Sequence, residues 1–167
     1  MRTTFSEILR IINLSANEEL AGYSDDEIVK LEKLYDIFIV GNLKKFLSLA
    51  GRCSGGVIGD RDIVLYLNDG NLRSHFLFQI GCREELSGLG LFDILTMKPF
   101  FFAVESETVY YFLQTKAQDR EQVYLYDENT EEVRKTDWDF AAYIEYQISE
   151  TSKHMNNIIC KSDMLLI

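Results

Sequence analysis

The stretch from Pro99 to Thr136 restricts the fold of this chain more than any other. Phe100 to Glu105 and Thr108 to Gln114 are runs of aromatic and β-branched residues with Ser106-Glu107 between them. Both runs are apolar at successive positions. Side chains alternate between the two faces of a strand, so these runs put apolar groups on both faces. Such strands belong inside a sheet covered on each side by helices or a second layer. Gln122 to Tyr126 reads as a third strand and Glu132 to Thr136 as a fourth. The turn between them, Asp127 to Glu131, holds Asn129. The expected fold is α+β, with a curved, largely antiparallel sheet of about four to six strands and helices packed around it.

Helical spacing governs the rest. Phe5, Ile8, Leu9 and Ile12 form one stripe between Thr4 and Leu14. Ser24-Asp25-Asp26-Glu27 is a capping box, in which Ser24 and Glu27 satisfy each other's amides. The helix behind it carries Ile28, Leu31, Leu34 and Tyr35 and is expected to break at Gly41-Asn42. A shorter helix carries Leu43, Phe46, Leu47 and Ala50. Gly51 to Asp60 is glycine-rich, but it follows a helix and lacks the Lys-Ser/Thr pair of a phosphate loop, so it reads as a plain turn. Asp62 to Leu67 suits a short strand. Leu72 to Glu85 fits two patterns: a helix striped by Leu72, Phe76 and Ile80 and ended by Gly88 and Gly90, which is the favoured reading, or a strand over His75 to Ile80. The last helix is expected over Trp138 to Ser149, opened by Trp138, capped by Asp137 or Thr136, with Phe140, Ala141, Ile144 and Ile148 inward. Trp138 should pack on the sheet. With 167 residues and no linker, the chain reads as one domain, 1–167, with a tail from 150 to 167.

The charge is negative and uneven. Residues 105–150 hold 12 acids and 4 bases, a net of −8, out of −10 for the whole chain. A negative field repels phosphate backbones and anionic lipid, so neither nucleic acid nor membrane is an expected partner. No stretch reaches the roughly 18 apolar residues of a spanning helix, and the N-terminus lacks a secretory layout, so the chain reads as cytoplasmic. Cys53, Cys82 and Cys160 are far apart and form no C-x-x-C, which points to reduced thiols. His75 reads as a core or rim residue, and His154 lies in the polar tail. No nucleophile stands in a hydrolase motif. Carboxylate pairs are frequent: Asp60/Asp62, Glu84/Glu85, Glu105/Glu107, Asp127/Glu128, Glu131/Glu132 and Asp137/Asp139. Glu105 and Glu107 would share a strand face if the strand extends that far, but no calcium-loop pattern is present. No catalytic residue, metal or cofactor is expected. The aromatics between Phe100 and Tyr126 have too few bases among them to stack nucleic acid, and read as core. The candidate partner-binding residues are the acids at strand ends and turns: Glu105, Glu107, Asp119, Glu121, Asp127, Glu128, Glu131 and Glu132.

The order of elements resembles a family. Leu31-Glu32-Lys33-Leu34, Leu43-Lys44-Lys45-Phe46-Leu47 and Ser54-Gly55-Gly56 are similar to the opening of the SUKH superfamily. Phe100 to Val104, Tyr110-Tyr111-Phe112 and Val123 to Asp127 resemble its consecutive strands. Trp138, Phe140 and Ile144 resemble its closing helix. The likeness spans about residues 25–149. It departs where Val40-Gly41-Asn42 replaces a proline and where Cys53-Ser54-Gly55-Gly56 replaces an Asn-Gly-Gly ending. The resemblance implies an α+β fold without catalytic residues, and a bacterial immunity protein that binds and neutralises a toxin, often a nuclease or deaminase with a basic surface. Its alternatives are a regulatory adaptor of the same family and a small enzyme with a carboxylate-bound metal.

Overall fold

Capping and apolar spacing set the first helices. In the computed structural model, which describes residues 4–16, 20–58 and 72–154, α1 (Phe5–Ser15) and α2 (Asp25–Tyr35) both open on capping boxes. The Thr4 amide donates to Glu7 at 2.7 Å, and the Ser24 amide to Glu27 at 2.9 Å. Phe5, Ile8 and Ile12 of α1, and Ile28, Leu31 and Tyr35 of α2, are buried. Leu34 is exposed, against the expected stripe.

The second helix ends earlier than its spacing suggests. Asp36 turns left-handed, with φ 51°, and the chain becomes extended. Ile37 and Ile39 are buried while Phe38 and Val40 are exposed, the period of two of a strand. Gly41-Asn42 therefore starts α3 (Gly41–Ala50), in place of the expected break. Four consecutive β-branched or aromatic residues, Ile37 to Val40, disfavour helix there. The Gly51 turn is pinned by a single bridge between Ala21 and Cys53.

Four strands follow two further helices, α4 (Leu72–Gly88) and α5 (Phe92–Thr96), the latter unforeseen in the sequence. The strands are β1 (Pro99–Glu105), β2 (Val109–Gln114), β3 (Gln122–Asp127) and β4 (Glu132–Asp139). They pair antiparallel in the order β1-β2-β3-β4. The sheet is bulged between Phe101 and Ala103 and again between Gln122 and Tyr124. Such bulges bend a strand and increase its twist.

The sheet is covered on both faces, as its apolar runs require. Phe100, Phe102, Ala103, Tyr111, Leu113 and Val123 join the larger core, with α1, α2, α3 and α6 (Phe140–His154). Phe101, Phe112 and Tyr126 point the other way, into a smaller core with Cys82 and Leu86 of α4.

Two expectations about the last helix are corrected. Trp138 is the next-to-last residue of β4 and does not open the helix; it is half-buried, stacked on Tyr146 with ring centroids 5.1 Å apart. Asp139 makes the capping bond, to the Ala142 amide at 2.8 Å, instead of Asp137 or Thr136. Thr136 is occupied elsewhere, donating to the Val123 carbonyl at 2.8 Å. Phe140 and Ile144 are buried as expected, and Ala141 and Ile148 half-buried. The strand expected over Asp62 to Leu67 and the tail's apolar end lie outside the described residues.

The stripe expected on α4 is also wrong. Phe76 is half-buried and Ile80 exposed, whereas His75, Gln79, Cys82 and Leu86 are buried. Hydrogen bonding decides the face of this helix, because Gln79 serves the backbone of β1 at Phe101.

Candidate functional site

Strand register assembles six of the eight candidate acids. Glu105 pairs with Val109, Val109 with Asp127, and Asp127 with Glu132, so one row runs across all four strands. The two hairpin turns project from this row. Glu107 lies in the first, and Glu128 and Glu131 in the second. The turns are tied together: the Glu128 amide donates to the Thr108 carbonyl at 2.9 Å, and the Asn129 side-chain amide to the Thr108 hydroxyl at 2.9 Å. Because β1 ends at Glu105, Glu105 and Glu107 do not form a pair on one strand face.

The remaining two acids do not belong to this site. Asp119 and Glu121 lie in the β2–β3 connection, at the opposite end of the sheet. Their work there is local. Asp119 accepts from the Glu121 amide at 3.2 Å. Glu121 accepts from the Asn42 amide at 2.9 Å, in the first turn of α3, whose own N-cap residue Val40 supplies no side chain. A carboxylate there satisfies an orphan amide and meets the positive helix end. Gly41 makes the approach feasible, because a Cβ at that position would stand 2.2 Å from the Glu121 carboxylate oxygen.

The acids of the hairpin end differ in how they are held. Tyr111 donates to Glu105 at 2.6 Å, and Tyr110 donates to Glu128 at 3.0 Å. Asp127 accepts from the Asn129 amide at 3.0 Å and meets Arg134 at 3.5 Å. Glu107, Glu131 and Glu132 are exposed and have no side-chain partner among the described residues. The backbone is strained at the same end. Ser106, Glu107 and Glu131 have φ of 55°, 65° and 56°, the left-handed region that favours glycine.

One acid and two tyrosines at this end were not assigned to it from the sequence. Glu85, near the end of α4, has its carboxyl raised above the ordinary range by burial and then by the charge of Glu128, against a hydrogen bond from Tyr126. Burial, then the charges of Glu85, Glu128 and Glu131, pushes Tyr126 up to about 12. Tyr110 is likewise raised, by burial first and then by its bond to Glu128. Cys82 beneath them is pushed up to about 12, by burial and then by Glu85, so its thiol is unreactive. The sequence signal was the Glu84/Glu85 pair, but only the packing of α4 on β1 and the run of the sheet place it beside Glu128.

Set against protein-family models, curated proteins and solved structures, the chain matches none. Its own geometry therefore carries the functional reading. Among the described residues, no group of three or more His, Cys, Asp or Glu is arranged to hold a metal ion. No described helix is long and apolar enough to cross a membrane. What the hairpin end offers chemically is a gathering of negative charge, part of it held by tyrosine hydroxyls.

Proposed function

We propose that this chain is an immunity protein, acting in the cytoplasm, that neutralises a toxin by covering a basic surface with the hairpin end of its sheet. The observation that carries the reading is the gathering of Glu105, Glu107, Asp127, Glu128, Glu131 and Glu132 at one end, with Arg134 as the base paired there. Acids gathered at one end of the sheet create a negative field there, and a partner's lysines and arginines are drawn to it. The left-handed turn residues support the same reading, because strained backbone tends to collect where a site is shaped for binding. The protein acts by binding, with no chemistry of its own, as its SUKH-like element order also implies.

The test takes the product of the neighbouring gene as the candidate toxin. Co-expression should restore growth, and association should slow as salt rises. Reversing Glu107, Glu131 and Glu132 to lysine should slow association at least about tenfold, because rim charges act mainly on the encounter rate. Reversing Asp26 and Asp119, which lie away from the hairpin end, should leave it unchanged. Equal rates in the two variants would remove the hairpin end as the interface.

A further inference from the structure

Strand β1 lies at an edge of the sheet, so half of its backbone groups face away from β2. Such an edge is ready to pair with another strand unless something covers it. Here side chains of α4 cover it. The Gln79 side-chain carbonyl accepts from the Phe101 amide at 3.1 Å, and the Gln79 NH2 donates to the Phe101 carbonyl. Arg83 donates to the Pro99 carbonyl at 3.1 Å and to the Tyr35 carbonyl at 2.7 Å. The amide of Gln79 thus stands where the peptide of a fifth strand would.

His75, one turn earlier, abuts that amide. It is 3 % exposed. Its Nδ1 lies 2.8 Å from the Tyr35 hydroxyl and its Nε2 3.5 Å from the Gln79 Nε2. An NH2 group only donates, so Nε2 is the acceptor and Nδ1 carries the proton. Gln79 cannot reverse its amide, because Phe101 uses both ends as they stand. A second proton on His75 would set N–H against NH2, donor against donor. It would also bury a charge. The groups around the ring are Tyr35 of α2, Phe100 of β1, and Phe78 and Gln79 of its own helix. The charged groups along these elements include Arg73 and Arg83 of α4, and Asp36 beside Tyr35, which acts on Arg83. No carboxylate hydrogen-bonds the ring among the described residues.

We propose that His75 and Gln79 form an acid-released latch: protonation of His75 detaches Gln79 from Phe101 and opens the β1 edge while the rest of the sheet stays folded. Burial holds His75 at about 4, below its ordinary 6.5, so opening is favoured as pH falls through the interval between the two.

Amide hydrogen exchange on the full chain tests this, read at Phe101 and at Leu113 in the central strand β2. Those two pKa values imply that the opening seen at Phe101 grows about twentyfold from pH 7 to pH 5. A local release exposes little surface, so low urea should barely accelerate Phe101 while strongly accelerating Leu113. The His75→Gln variant, neutral at both pH values, should lose the acid dependence at Phe101. The Gln79→Leu variant should exchange quickly at Phe101 even at pH 7. If it fails to fold, the urea comparison in the unaltered chain decides alone. Phe101 exchanging with the same urea dependence as Leu113 at pH 5 would overturn the latch, as would an unchanged acid response in His75→Gln.

Discussion

Gly22 shows how one atom can decide a local path. A Cβ there would stand 1.9 Å from the Ser48 carbonyl oxygen, where the chain between α1 and α2 passes the end of α3. The neighbour is backbone and cannot swing aside. Gly22→Ala should therefore cost about 3 kcal/mol in urea unfolding, the upper range for overpacking. His75 makes a different statement about single residues. Its folded value is depressed, so the unfolded chain binds the extra proton first. The stability due to keeping it neutral is full above about 6.5 and is lost as pH falls toward about 4. Whole-molecule unfolding should lose about 3 kcal/mol over that window, and His75→Gln should remove that component. Glu85 has the opposite sign: its carboxyl is raised, so its charge opposes folding at neutral pH. Glu85→Gln should add a few tenths of a kcal/mol at pH 7, after screening by solvent, and nothing at pH 4.

Hairpins were readable from sequence, and so was the span of the edge helix, but its buried face was not, for a physical reason. Strand runs declare themselves by apolar residues at successive positions, and Ser106-Glu107 and Asp127 to Glu131 fall where turns must. Helix α4 has its apolar residues spread around it, and its buried stripe includes His75 and Gln79. Gln79 pairs with backbone atoms of β1, 22 residues on, and His75 with the Tyr35 hydroxyl, 40 residues back, neither of which a periodicity encodes. The acid array was half legible for the same reason. Turn acids could be named, but only register separates the six at one end from Asp119 and Glu121 at the other. Glu121→Ala should cost about 1 kcal/mol by uncapping α3, and leave association through the proposed hairpin interface untouched. Ser106→Asn with Glu107→Gly gives the first hairpin a sequence suited to left-handed φ at both positions. That double variant should raise stability by about 1 kcal/mol yet slow association, because it relieves the turn's strain and removes the Glu107 charge together.

Two cores share one sheet in the whole molecule, and β1 links them. Phe101 and Phe102 are neighbours in sequence, fully buried, and point into different cores. Each truncation to alanine should cost about 3–5 kcal/mol. Both variants should keep a single unfolding transition, because neither core closes without the same strand. Two separate transitions would show the cores to be independent. The closed β1 edge has a consequence for stoichiometry. Among the described residues, β4 is the other boundary of the sheet, and no strand pairs with its outer side. A tile with one sticky side can join one copy of itself and then has none left, so growth through the sheet stops at two. A tile with two such sides can lengthen without limit. The side chain of Gln79 thus sets an upper bound on how many copies a continuous sheet could span.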